Sequence, residues 1–220
     1  LKDKLIVEFH CHTIYSDGLA TPEKLLEISR RKGIDRLVIT DHNTIRGALR
    51  ARELDPERVI VGEEILTTQG EFLAAFVKEE IPKRLTPMET IRRLKDQGAF
   101  ISVSHPFDRL RCGWETKQLL EILPYVDAIE TFNARAYRAA VNQQAQEFAR
   151  QHNLAGTAGS DAHASFELGA ATMTLPYFTD SASLRQAMAQ VEYHTRYSGF
   201  WVHLVSRFGN WMKKMMPEQA

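Results

Sequence analysis

The stretch LIVEFHCHTIYSDG, residues 5–18, opens as an apolar run and closes on polar ligand chemistry. LIVEF (5–9) has the character of a short strand, and it delivers two of the chain's eight histidines one residue apart. Successive side chains on a strand point to opposite faces, so His10 and His12 project to one side and Cys11 to the other, as a core residue. Two imidazoles at a strand exit either chelate an ion or sit there by accident, and one pair does not decide between them. The arrangement recurs, however. RLVIT (36–40) runs into Asp41 and His42, RVIVG (58–62) into Glu63 and Glu64, AFISVS (99–104) into His105, and LAGTAG (154–159) into Ser160, Asp161, Ala162 and His163. Five strand-like runs thus end in His, Asp or Glu, which is where a β/α barrel places its active-site residues.

The rest of the chain fits that frame. EFLAAFV (71–77), DAIETF (127–132) and MTL (173–175) are further strand-like runs. All lean on Val, Ile and Phe with weak alternation, as strands buried on both faces do. TPEKLLEISRRKG opens a helix with Thr21 as N-cap and Pro22 at the first helical position, and Gly33 stops it. TPMETIRRLKDQG repeats the grammar with Thr86, Pro87, a capping-box Glu89 and a terminal Gly98. Residues 136–153 and 181–192 supply two more helical segments. No linker or low-complexity segment intervenes, and the expectation is one α/β domain of barrel type over residues 1–198.

Composition narrows the class. Apolar residues make up 44% and charged residues 25% of 220, the profile of a soluble globular protein. Lys+Arg and Asp+Glu balance at 28 each, so no global basic field points to duplex nucleic acid. Two cysteines are too few for a disulfide scaffold or a thiolate zinc site. No apolar run reaches the roughly 18 residues a membrane span needs. LKDKLIVEF lacks the apolar stretch and cleavage site of a signal peptide, so a cytoplasmic location is expected.

The last 22 residues, 199–220, form a separate helical extension in this reading. Trp201, Leu204, Val205, Phe208, Trp211, Met212 and Met215 fall at helical spacing with basic residues between them. Such a helix packs across the barrel, makes a homo-oligomer or partner contact, or lies on a membrane surface.

Imidazoles and carboxylates together suit Mn, Fe or Zn, and there are too many of them for one tetrahedral ion. His10, His12, Asp17, His42, Glu63, His105, Asp161 and His163 make eight candidate ligands for two or three divalent ions with a bridging carboxylate. The successive motifs HCH, SDG, TDHNT, GEE, SHP and GSDAH resemble those of the PHP (polymerase and histidinol phosphatase) family over roughly residues 5–175. The resemblance implies a distorted (β/α)7 barrel, a multinuclear metal centre and, in most members, phosphoesterase activity. It assigns His10, His12, Glu63 and Asp161 to one ion, Glu63 as the bridge to a second ion on His105, and Asp17, His42 and His163 to a third. Asp17 stands where some members carry histidine. A histidine that certain members supply between the Glu63 and His105 motifs has no counterpart in EFLAAFVKEEIPKR. Water or substrate completes that shell, Glu79 or Glu80 approaches, or the ion is held weakly.

The reaction expected of such a centre is hydrolysis of a small phosphorylated molecule, a nucleotide or sugar phosphate, by metal-activated hydroxide. Glu63, Asp17 and His163 are its candidate catalytic residues. Arginine forks bind phosphate oxygens in pairs, and the loops after His105 and after DAIETF offer Arg109 and Arg111, then Arg135. Arg109 and Arg135, with Asn133 orienting substrate or water, are the expected substrate contacts. Glu64 and Asp41 adjoin assigned ligands and are expected to orient histidine rings, with a backbone or helix-cap role the equal alternative for Asp41. Two alternatives keep the metal: an amide hydrolase, and a non-catalytic module docking on a larger assembly.

Overall fold

A computed structural model describes residues 2–199 and 201–215, side chains at 207, 210 and 212–214 excepted. The side chain of Met212 in the amphipathic reading, and residues 200 and 216–220 of the extension, therefore lie outside what is described. Nine strands and seven α-helices appear among the described residues. In chain order they are β1 (Lys4–Glu8), α1 (Pro22–Arg31), β2 (Arg36–Ile39), α2 (Arg46–Leu54), β3 (Val59–Leu66), β4 (Glu71–Ala75), α3 (Pro87–Asp96), β5 (Phe100–Val103), α4 (Thr116–Ile122), β6 (Ala128–Asn133), α5 (Ala139–Gln151), β7 (Ala155–Gly159), β8 (Ala171–Pro176), α6 (Ser181–Ala187), β9 (Glu192–Thr195) and α7 (Trp201–Met215).

The strands form one sheet in the order β7-β6-β5-β4-β3-β2-β1-β8-β9. Pairing is parallel except around β4, which lies antiparallel to both β3 and β5, and at β8, antiparallel to β1 and β9. The sheet curls back on itself. Beyond the end of β1, Cys11 pairs with Ala162 beyond β7, and the His12 amide donates to the Ala162 carbonyl at 2.9 Å. The first seven strands thus make a nearly closed barrel, while β8 runs antiparallel to β1 from Lys4 to Val7 and carries β9 on its other edge. This is the expected barrel, with its distortion located at β4 and at the seam.

Two apolar layers follow from strand alternation. Leu5, Val7, Val38, Ile60, Leu73, Ala75 and Phe100 fill the interior. Leu37, Ile39, Val59, Val61, Ile65, Phe72 and Ile101 face the helices. The alternation slips at the end of β1, since Phe9 is interior while Cys11 lies in the outer layer. That slip turns both His10 and His12 toward the barrel mouth.

The helix starts are as expected: Thr21 Oγ1 accepts from the Lys24 amide and Thr86 Oγ1 from the Glu89 amide. Glu89 closes no capping box, because its carboxylate pairs with Arg92 and Arg93 instead. The segment 181–192 is not one helix either. After α6 and a short 3₁₀ turn at Met188–Gln190, the run EYHT becomes β9, where Tyr193 donates to the Gly156 carbonyl.

Candidate metal centre

The C-terminal strand ends converge on one carboxylate, that of Glu64. Its Oε2 lies 3.2 Å from His10 Nε2, 3.3 Å from His12 Nε2 and 3.2 Å from His42 Nδ1. Its Oε1 lies 3.1 Å from His105 Nε2 and accepts from the Ser104 hydroxyl at 2.6 Å. One side chain therefore touches four imidazoles, the position of a bridging ligand.

Around it the donors fall into three groups. His10 and His12 bring their Nε2 atoms to 3.1 Å of one another, with Asp161 Oδ1 at 3.5 Å and 3.2 Å. His163 Nε2 lies 3.1 Å from Asp17 Oδ2, with His42 and the far nitrogen of His12 at 3.7 Å and 3.9 Å from Asp17 Oδ1. His42 and Glu64 meet Glu71, which is also 3.5 Å from His105. Like-protonated imidazoles at such range repel, whereas an ion between them would be gripped by all. Buried nitrogens of His12 and His105 and one oxygen of Asp17 have no hydrogen-bond partner among the described residues. Donor chemistry and orphaned atoms both fit divalent ions bound by N and O ligands.

The ring orientations are fixed from behind. His10 Nδ1–H donates to Glu130 Oε1 at 2.9 Å, which leaves Nε2 for the cluster. Glu130 also accepts from the His105 amide at 2.8 Å and from Asn133. His163 Nδ1–H donates to the Asp161 carbonyl at 2.8 Å. Asp161 itself has φ 52, a left-handed conformation that re-aims its carboxylate at the centre. Gly159 lets His10 approach the end of β7, since a Cβ there would collide with the His10 Cβ.

The charges are strongly coupled. Burial opposes protonation of His10, but Glu64, Asp161 and Glu130 outweigh it and hold the ring well above its ordinary value. Burial, with His163 and His42 alongside, pushes His12 down to about 4. Burial would raise Glu64 and Asp161, yet the neighbouring cations hold both well below the usual carboxylate range. Burial and the charge of Glu64 push Glu71 up to about 7.

Of the eight candidate ligands, seven are brought together. Glu63 is the exception. Because β3 runs to Leu66, Glu63 and Glu64 lie within the strand and point to opposite faces. Glu64 shares the interior face with Ile60, while Glu63 lies with Val61 and Ile65 in the helix layer, where its Oε2 accepts from the Ile81 amide. Both the bridging and the catalytic assignment of Glu63 are therefore corrected. Glu80 approaches Glu63 and the Ile45 amide rather than the cluster; the carboxylate that stands beside His105 is that of Glu71. Its signal was available: it shares strand parity with the interior residues Leu73 and Ala75.

Arg109 is also corrected. It sits in a 3₁₀ turn with its side chain 73% exposed beside Glu115, whereas Arg111 turns inward to Asp108, Asn133 and Asp161. Arg135 is buried at the edge of the cavity, 3.6 Å from Glu167, with one guanidinium nitrogen donating to Ser206. Asn133 donates to Glu130 and Asp161 and accepts from Arg111. Asp41 orients no ring; it accepts from the Thr13 amide and hydroxyl and the Ser16 hydroxyl, bracing the loop that carries Asp17. Trp114 and Phe107 are packing residues, against Phe72 and Phe148.

A cavity of about 260 Å³ opens onto the cluster, lined by Glu64, Glu71, His105, Arg111, Cys112, Arg135, His163 and, from α7, His203. A larger cleft of about 690 Å³ lies at the opposite end of the barrel, where no histidine lines it, and the ligand chemistry selects the smaller one.

Residues 8–96 match the PHP domain family, and residues 132–188 match the PHP-associated family. An uncharacterized protein of Methanocaldococcus jannaschii is 36% identical over 149 residues, 61% of this chain and 85% of the relative. The chain belongs to the PHP family. Among solved structures, a two-domain protein of Bacteroides vulgatus containing a predicted PHP-like metal-dependent phosphoesterase superposes with a TM-score of 0.74 at 21% identity. That match covers 88% of this chain, which spans 65% of the longer protein. PsfC of Pseudomonas syringae superposes with a TM-score of 0.71 at 17% identity, over 96% of this chain and 99% of that one. The fold is thus that of PHP-like metal-dependent phosphoesterases, and no helix among the described residues is long and apolar enough to cross a membrane.

Proposed function

We propose that this chain hydrolyses a small phosphate monoester or diester, of the nucleotide or sugar phosphate class, with two or three Mn, Fe or Zn ions. The observation that carries this reading is a carboxylate shared by four imidazoles in the same cavity as two inward-turned arginines. His10, His12 and Asp161 would hold one ion; His105, Glu71 and Glu64 a second; Asp17, His42 and His163 a third. Such ions, when bound, supply Lewis acidity toward phosphoryl oxygens and acidify water near neutral pH.

The protein's own groups do the rest. Glu130 and the Asp161 carbonyl keep His10 and His163 in the tautomers that face the centre. Arg111 sits where its fork reaches phosphoryl oxygens next to Asp161, and Asn133 fixes its plane. Arg135 offers a second guanidinium from the other wall of the cavity, where it is held by Glu167 and Ser206. These two cations favour a phosphate over the neutral group of an amide. Carboxylates crowding the centre would repel a phosphate unless cations, the ions and arginines, outnumbered them locally.

The test is inorganic phosphate release from a panel of nucleoside and sugar phosphates, on protein loaded with each metal. Turnover that falls at least tenfold in Arg111→Ala, with metal content intact, supports the reading. Metal-loaded protein that releases no phosphate yet cleaves amides would refute it.

A further inference from the structure

We infer that the outer face of α7 is a docking surface for an anionic lipid membrane, placed directly over the mouth of the metal centre. The helix has two unlike faces. Among the described side chains its inner face packs on the barrel: Val202 is buried, and Ser206 accepts from Arg135 at 3.0 Å. His203 Nε2–H donates to the Arg135 carbonyl at 3.0 Å, and its ring stacks on Tyr137 at 3.9 Å between centroids. Gly209 lies so close to Leu19 that a Cβ there would collide with the leucine side chain.

The outer face carries Trp201, Leu204, Phe208, Trp211 and Met215 at three- and four-residue spacing, each half or more exposed. Phe166, stacked on Trp201 at 5.0 Å, extends the row onto the barrel. A contiguous exposed apolar row of this kind marks an interaction surface.

Charge selects the occupant. From Trp201 to Met215 the helix contains Arg207, Lys213 and Lys214 and no Asp or Glu, on a chain whose formal net charge is zero. An apolar face with tryptophans, on a helix whose charged residues are all basic, is the composition of a helix lying in a headgroup layer. A second copy fits worse. A two-fold contact through this face would set two basic helices against each other with no carboxylate in either to answer them.

The experiment mixes the metal-loaded protein of residues 1–220 with vesicles of phosphatidylcholine alone and with equimolar phosphatidylglycerol and phosphatidylcholine. Co-sedimentation and tryptophan emission report binding. Trp114 is buried in the barrel, so a blue shift would come from Trp201 and Trp211. The expected result is binding to the anionic vesicles at least roughly tenfold tighter than to the neutral ones, weakened by salt. Binding should be lost in Leu204→Glu/Phe208→Glu, whose melting temperature and metal content stay unchanged because both positions face outward. Absence of binding to anionic vesicles, or binding that survives the double substitution, overturns the inference. So does a concentration-dependent dimer that the same substitution dissociates, because the face would then belong to a second copy. Vesicle binding is read without phosphate release, so this result stands or falls separately from the proposed activity.

Discussion

Glu63 and Glu64 are neighbours in sequence and opposites in environment, and exchanging each for glutamine tests the whole assignment of the centre. Glu63 is fully buried in the helix layer, with one oxygen bonded to the Ile81 amide and the other unpartnered. Burial, aided by the charge of Glu80, pushes its carboxyl from an ordinary 4.5 up to about 8. The sign follows from linkage. Below the unfolded value both states hold the proton and nothing is lost. As pH rises from about 4.5 toward 8, the unfolded chain ionises first and stability falls; above 8 the full cost is present. At about 1.4 kcal/mol per pH unit the ceiling is roughly 4–5 kcal/mol, and relaxation around the charge brings the expected figure nearer 2–3 kcal/mol.

Glu63→Gln keeps an acceptor for the Ile81 amide and removes the charge. Its melting temperature should match the parent near pH 5 and exceed it by roughly 5–10 °C near pH 9, read by scanning calorimetry across that range. Its metal content should be unchanged. Glu64→Gln should do the reverse, losing at least one ion per chain by elemental analysis. A pH-independent difference for Glu63→Gln would refute the raised carboxyl. Loss of metal from that variant would refute the strand-parity argument that moves the bridge to Glu64.

Three further outcomes are expected. Arg109→Ala should leave the kinetics with a phosphate substrate unchanged, whereas Arg111→Ala raises KM or lowers kcat at least tenfold, because only Arg111 faces the cavity. Glu130→Gln weakens metal affinity by about 10- to 100-fold, measured by competition with a chromogenic chelator, since it frees the His10 ring to turn. Chelator treatment of the metal-loaded protein lowers the melting temperature by roughly 5–15 °C, the loss expected when ligand at 100- to 1,000-fold its Kd is removed.

Much of the site was legible because ligand residues stood at strand exits, where barrel geometry leaves one direction to point. His10, His12, His42, His105, Asp161 and His163 are of that kind. Glu63 misleads because the apolar run RVIVG ends at Gly62, whereas the ladder with β4 carries β3 through Leu66. Inside a ladder alternation chooses one of two adjacent carboxylates, and the interior parity of Ile60 chooses Glu64. Arg109 and Arg111 lie in a turn capped by Asp108, where no periodicity sets direction and only the three-dimensional course of the loop decides. Glu71 and Glu130 were hidden in runs read as wholly apolar strands, although a carboxylate in such a run is itself a signal. The strand β9 is not legible in the sequence because EYHT has no apolar alternation and all four residues are exposed, and only its pairing with β8 makes the extended form worthwhile.

The closure of the barrel at Cys11 and Ala162 has a mechanical consequence. His10 and His12 lie on one side of that seam and Asp161 and His163 on the other, about 150 residues apart along the chain. An ion gripped by His10, His12 and Asp161 would act as a rivet, tying the first strand to the seventh as a disulfide ties distant segments. For a loop of this length the unfolded chain would lose roughly 4–5 kcal/mol of conformational freedom. The centre proposed for hydrolysis would thus also hold the cylinder shut, and the amide of His12, hydrogen-bonded across the seam, is where its opening would first be seen by hydrogen exchange.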